Sequence, residues 1–186
     1  MKKLLLFVYF GAAIAAVGED RFDYRVLATS KTSTMEKEMN EAAAAGFVFS
    51  SVMGGETSAG GKEVVTVMVQ GDADRGKAQY KLLATSRTGT MQKEMQAAAD
   101  QGYRYRGQTV FESMFGGKEV AVILERFAGE EGKRAEYRLL ATSRTSTMEK
   151  ELKEAGGAGF RLMGMVVGQT AMGGRELVCI LEKAAQ

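Results

Sequence analysis

Hydrophobic and polar positions in this chain switch period in a fixed order. In Tyr137-Arg138-Leu139-Leu140-Ala141-Thr142, the side chains of Tyr137, Leu139 and Ala141 share one face of an extended strand. A short Ser/Thr/basic segment follows, and the period then lengthens. Met148, Leu152 and Ala155 recur at i, i+4 and i+7, the apolar stripe of a helix. Met35, Met39 and Ala42 do the same earlier in the chain, as do Met91, Met95 and Ala98. Each helix pattern stops at a glycine, Gly46, Gly102 or Gly159, a residue that accepts the left-handed conformation of a helix end. An aromatic residue, Phe47, Tyr103 or Phe160, then opens a second strand. Gly60-Gly61-Lys62, Gly116-Gly117-Lys118 and Gly173-Gly174-Arg175 mark hairpin turns into a third strand. That third strand, as in Glu119-Val120-Ala121-Val122-Ile123-Leu124, is apolar on both faces and belongs in the middle of a covered sheet.

The same order occurs three times. YRVLATSKTSTM begins at Tyr24, YKLLATSRTGTM at Tyr80 and YRLLATSRTSTM at Tyr137, aligned without gaps at offsets of 56 and 57 residues. Self-similarity at this spacing signals one supersecondary unit used repeatedly. The expected fold is α+β: three tandem βαββ repeats, each an antiparallel three-stranded sheet of order 1-3-2 with one helix, packed with pseudo-threefold symmetry. The repeats are assigned to residues 19–77, 78–134 and 135–186, after a signal peptide at 1–18. The second strand carries Met163, Met165 and Val167 on one face in the third copy and Val48 and Val52 in the first, but Arg104, Arg106 and Gln108 in the second, whose sheet face needs polar partners if it is covered.

Through the segment Leu152 to Met163 and its counterparts, the helix and following strand of each repeat resemble a small bacterial family, domain of unknown function 4177. The third copy carries the likeness at Leu152-Lys153-Glu154-Ala155-Gly156-Gly157-Ala158-Gly159-Phe160-Arg161-Leu162-Met163. The resemblance spans most of each copy. It implies the βαββ fold and no particular chemistry. Dodecin-like flavin-binding units share the βαββ order, but the tryptophan they stack on flavin has no counterpart here.

Composition then narrows the function. Lys2 and Lys3 precede the apolar run Leu4 to Ala16, with small residues at its exit, which is the pattern of an export signal. The chain carries a formal charge of +2, and those two lysines account for it. A neutral remainder offers no global footprint for nucleic acid. The protein is therefore expected in the periplasm or outside the cell, touching a membrane only through an uncleaved leader. The single cysteine, Cys179, sits in an apolar strand and reads as a buried small hydrophobe. The absence of histidine rules out Ser-His-Asp and Cys-His catalysis, and Cys/His zinc sites with them.

The segments before the helices are the candidate binding loops: Thr29, Ser30, Lys31 and Thr32; Thr85, Ser86, Arg87 and Thr88; Thr142, Ser143, Arg144 and Thr145. Hydroxyls, a cation and the free N–H groups of a helix start suit an anion. The competing reading gives the hydroxyls to helix capping, with Ser33/Glu36 and Ser146/Glu149 as capping boxes and Thr34, Thr90 and Thr147 as alternative caps. Glu63, Glu119 and Glu176 open the third strands and are read as partners of hairpin Lys or Arg rather than a calcium site. Tyr103-Arg104-Tyr105-Arg106 is read as a polar strand face at a contact between repeats. These features predict an exported, non-catalytic binding or structural repeat protein, with no catalytic residues, metal or cofactor. The partner class is a protein or a cell-envelope component. The alternatives are a small-ligand or anion carrier using the pre-helix loops and a carboxylate-dependent hydrolase.

Overall fold

The computed structural model describes residues 21–57, 61–71, 77–112, 118–128, 134–169 and 174–185. The expected signal peptide at 1–18 and the tips of the three hairpins lie outside the described residues. The first unit comprises β1 (Tyr24–Thr29), α1 (Thr32–Ala44), β2 (Phe47–Thr57) and β3 (Gly61–Gln70). The second comprises β4 (Ala78–Thr85), α2 (Thr88–Ala99), β5 (Arg104–Glu112) and β6 (Lys118–Phe127). The third comprises β7 (Ala135–Thr142), α3 (Thr145–Gly157), β8 (Arg161–Gln169) and β9 (Arg175–Ala184). Each unit forms an antiparallel sheet with its last strand in the middle: β1-β3-β2, β4-β6-β5 and β7-β9-β8. The fold is thus α+β with three βαββ repeats, as the periodicity requires.

The helix boundaries differ from the capping expectation. Lys31, Arg87 and Arg144 are the N-caps, in extended conformation, and none makes a side-chain capping bond. Ser33, Thr34, Thr90, Ser146 and Thr147 all lie inside the helices, so neither capping box forms. The hydroxyl one turn earlier does the local work: Thr29, Thr85 and Thr142 Oγ1 accept the N–H of Lys31, Arg87 and Arg144 at 3.2, 3.1 and 3.3 Å. This two-residue turn is the conformation Ser and Thr favour over helix interior. At the other end the expectation holds. Gly46, Gly102 and Gly159 have φ of 92°, 86° and 87°, the region a side chain strains.

Each helix covers one face of its own sheet, and the methionine stripes lie in the core. Met35, Met39, Met91 and Met95 are fully buried, and Met148 is nearly so. The other face of the second and third sheets is covered by the preceding unit. Ala78, Tyr80, Leu82, Ala121, Ile123 and Phe127 join the core of α1. Ala135, Tyr137, Leu139, Val178 and Ile180 likewise join the core of α2. The threefold repetition therefore takes the form of two equivalent seams, α1 on β4 and α2 on β7, with β2 beside β5 and β5 beside β8. No comparable contact joins α3 to β1 or β8 to β2 among the described residues. Successive units are stacked, and the first and third end the stack.

A β-bulge interrupts the second strand of every unit, between Phe49 and Ser51, Tyr105 and Gly107, and Leu162 and Gly164. The extra residue breaks strict alternation and re-aims its neighbours. It lets Phe49 and Val52 lie over Gly107, and Tyr105 and Gln108 over Gly164.

Position 66 shows a mismatch inside this packing. Thr66 is fully buried between α1 and its sheet, and its hydroxyl finds no partner. The equivalent residues are Val122 and Cys179, which carry no hydroxyl. A buried hydroxyl without a hydrogen bond costs about 1–3 kcal/mol. Thr66→Val keeps the shape and removes the stranded group. It should raise the unfolding free energy by about 1 kcal/mol in urea melts, whereas an unchanged or lower midpoint would mean that the hydroxyl is paired in solution.

Candidate functional site

The polar groups with the most specific surroundings lie in the seams. β4 and β7 are edge strands, so half their backbone groups point away from their own sheets. Side chains of the preceding helix meet them. Asn40 Nδ2 donates to the Tyr80 carbonyl and Asn40 Oδ1 accepts the Tyr80 N–H, both at 2.9 Å. One turn earlier, Glu36 accepts the Leu82 N–H at 2.8 Å. In the next seam Gln96 accepts the Tyr137 N–H at 3.1 Å and donates to the Ala135 carbonyl at 3.1 Å. Gln92 accepts the Leu139 N–H at 3.1 Å.

A tyrosine locks the other side of each seam. Tyr80 Oη donates to Glu125 Oε2 at 2.6 Å and accepts the Phe49 N–H at 2.7 Å. Arg106, placed on the bulge, adds an ion pair to Glu125 at 3.0 Å. Tyr137 Oη donates to Glu182 at 2.9 Å and accepts the Tyr105 N–H at 2.7 Å. Here the cation comes from the preceding unit, because Arg104 pairs with Glu182 across the seam. With its amide turned so that the oxygen faces β8, Gln108 accepts the N–H groups of Met165 and Val166 at 3.1 and 3.2 Å. The polar face of the second copy thus has its partners.

These seams are built for cohesion. Burial, and then the hydrogen bond to Glu125, pushes the Tyr80 phenol far above its ordinary value. Burial and the Glu182 charge raise Tyr137, and burial alone pushes Tyr105 up to about 12. Burial also raises the Cys179 thiol, which keeps it protonated and unreactive. Aromatic residues at the starts of the second strands carry cations on their faces: Arg25 over Phe47 at 4.3 Å, Arg126 over Tyr103 at 4.7 Å and Arg138 over Phe160 at 4.4 Å. The Tyr-Arg-Tyr-Arg run is accordingly taken up within the sheet and its seams.

The pre-helix loops stand apart from one another in the chemistry they meet. Their threonines, Thr29, Thr85 and Thr142, spend their hydroxyls on local backbone, and Lys31, Arg87 and Arg144 are exposed. Ser30 and Thr32 are half-buried, while Ser143 and Thr145 are exposed. Thr85, Ser86 and Thr88 line a cavity of about 10 Å³ with Met91, Val120, Leu139, Gly168, Glu176 and Val178. That is space for about one water molecule. Glu176 in its wall brings negative charge to the place an anion would occupy.

A more spacious groove lies at the hairpin ends of the second strands. It measures about 370 Å³ and is lined by Gly54, Gly55, Lys62, Val110, Glu112, Lys118 and Val167. It crosses all three units. Lys62 pairs with Glu112 of the neighbouring unit, and Gly54 N–H donates to Thr109 Oγ1 at 2.7 Å beneath it. No cluster of acidic or sulfur groups fit for a metal occurs among the described residues.

Sequence reasoning missed the seam side chains. Glu36 reads as half of a capping box, and Asn40, Gln92 and Gln96 carry no signal of a seam role, because their partners are backbone groups of another unit. The available signal was an amide at the same helical place in the first two copies, Asn40 and Gln96, replaced in the last copy by Lys153. No protein-family model, curated protein or solved structure matches the chain.

The raised tyrosines set a pH dependence. A phenol that holds its proton more tightly when folded stabilises the protein fully below its unfolded value of about 10, and this is lost as pH rises through the folded value. Thermal midpoints should therefore fall above about pH 10. The double variant Tyr80→Phe, Tyr137→Phe should start lower, because Glu125 and the Phe49 and Tyr105 N–H groups lose partners, by about 1–3 kcal/mol per site. Its decline with pH should be shallower. Parallel slopes for variant and parent would show that these phenols do not govern the alkaline limb.

Proposed function

We propose that the chain is an exported, non-catalytic binding and structural repeat protein whose units are of the domain of unknown function 4177 type. What carries this reading is the groove that crosses the three units at Gly54, Val110 and Val167. Repeat arrays use the surface made by successive units, rather than a single pocket, to hold extended partners. The seam tyrosines support the same view, since Tyr80 and Tyr137 each bind a glutamate of their own unit and accept an N–H of the preceding one. The partner is a protein segment or an envelope component. Lys62 and Lys118 against Glu112 favour one that carries negative groups.

Poly-L-glutamate is a suitable probe of the groove. Titrated into the full chain and followed by amide NMR, it should give saturable shifts at residues 54, 55, 110, 112, 118 and 167, and Lys118→Glu should weaken them severalfold. Shifts confined to the loops at Lys31, Arg87 and Arg144 would transfer the binding role to those loops and favour the anion-carrier reading. A flat titration at both places would overturn the groove.

A further inference from the structure

The two ends of the stack carry the two halves of its own seam. In the first unit, the sheet face that in later units receives a neighbour is left uncovered by the described residues. Tyr24 is 56% exposed, whereas its equivalents Tyr80 and Tyr137 are each 3% exposed. Val26 and Met53 on the same face are also exposed, beside half-buried Val65, Val67 and Val69. In the third unit, the surface that in earlier units covers a neighbour is likewise left uncovered by the described residues. Leu162, Met165 and Val167 are exposed. Their equivalents are Phe49, Val52 and Gly54 in the first seam and Tyr105, Gln108 and Val110 in the second.

We propose that a second copy of this chain docks its first unit on the third unit, extending the internal seam head to tail. The contact would continue an interface that the chain already builds twice. Superposing the seam pattern sets Leu162 and Met165 over Ser51 of the next copy, as Phe49 and Val52 lie over Gly107. Serine is exposed there and small enough for the longer Leu and Met side chains. Tyr24 and Val26 flank the contact.

The backbone chemistry also fits. β1 is an edge strand, and among the described residues no side chain caps the Tyr24 and Val26 N–H groups as Asn40 and Glu36 cap those of Tyr80 and Leu82. On α3 the equivalent places hold Lys153 and Glu149, both exposed and paired with each other at 2.5 Å. Glu149 would take the Val26 N–H, as Glu36 takes that of Leu82. Lys153 would donate to the Tyr24 carbonyl, as Asn40 does to that of Tyr80. The Tyr24 phenol would accept the Leu162 N–H.

The two ends match in polarity as well. Where the internal seams hold Glu125, buried, and Glu182, half-buried, the first unit has Val69. Where the second seam offers Gln108, the third unit offers Met165. Both of these positions are therefore apolar, while Arg161, at the place of Arg104, is exposed. A heterologous contact of this kind repeats without closing on itself, so it grows chains rather than a symmetric dimer.

This inference rests on the structural side of the proposed function and not on the groove. Sedimentation velocity of the full chain and two single variants, Val26→Lys and Met165→Lys, tests it. The parent should show a mass that rises with concentration over roughly a hundred-fold range. Each variant alone should stay at one chain, with an unchanged circular dichroism melt because both residues are exposed. An equimolar mixture should form two-chain particles and stop there, since each variant retains one intact end. A parent that stays at one chain overturns the proposal, as it would if residues 1–20 of the same chain lay on this face. Variants that dimerise alone, or a mixture that does not pair, overturn it too. Val167 belongs to both surfaces, so the groove titration is read in the Val26→Lys variant, which stays at one chain and leaves the groove unaltered.

Discussion

The structure depends on covering the free edge of each unit's first strand. A three-stranded sheet of order 1-3-2 leaves that strand with a row of unpaired N–H and C=O groups, which are costly to bury without partners. In the second and third units the row is met by two polar residues one turn apart on the preceding helix. This requirement sets where the helix lies. Its apolar stripe must face its own sheet while its polar flank reaches the next strand, so one helix binds two units together. The tyrosine hydroxyl then fixes the second strand of the earlier unit to the middle strand of the later one. The seam is consequently part of the core, and a lone unit would leave one sheet face wet.

Much of this was legible in the sequence because it is periodic. Alternation placed Tyr137, Leu139 and Ala141 on one strand face, and the two-faced apolar pattern of Glu119 to Leu124 put that strand mid-sheet. The glycine after each helix announced a positive φ that only glycine adopts without strain. The methionine stripes read as core and are core. What was not legible involved contacts whose second partner is main chain. Glu36 looked like half of a capping box because a glutamate three residues after Ser33 is the usual sign of one. Its carboxylate instead serves Leu82, forty-six residues away. The bulges escaped notice for a related reason. One extra residue leaves composition unchanged, yet it sets Arg104 and Gln108, opposite Glu125 and Val122, on opposite faces of the sheet.

The candidate loops illustrate a similar limit. Thr, Ser and a cation before a helix suit both an anion and a local turn, and sequence does not distinguish them. The hydroxyls of Thr29, Thr85 and Thr142 point to backbone N–H groups two residues on. The groove emerged only when three units were set side by side, since Gly54, Val110 and Val167 carry no chemical signature on their own.

Near-identical tandem units face a hazard of mistaken docking while they fold. The two seams differ in one respect that guards against it. Glu125 finds its arginine inside its own unit, on the Arg106 bulge, whereas Glu182 depends on Arg104 of the unit before it. The first unit has Val48 at the place of Arg104. Were the first unit to seat itself on the third, Glu182 would enter the seam with no guanidinium to meet it, and a buried carboxylate without a counter-ion is heavily penalised. A single valine-for-arginine difference thereby acts as a key, making the order of the three units a property of their charges as well as of their linkage along the chain.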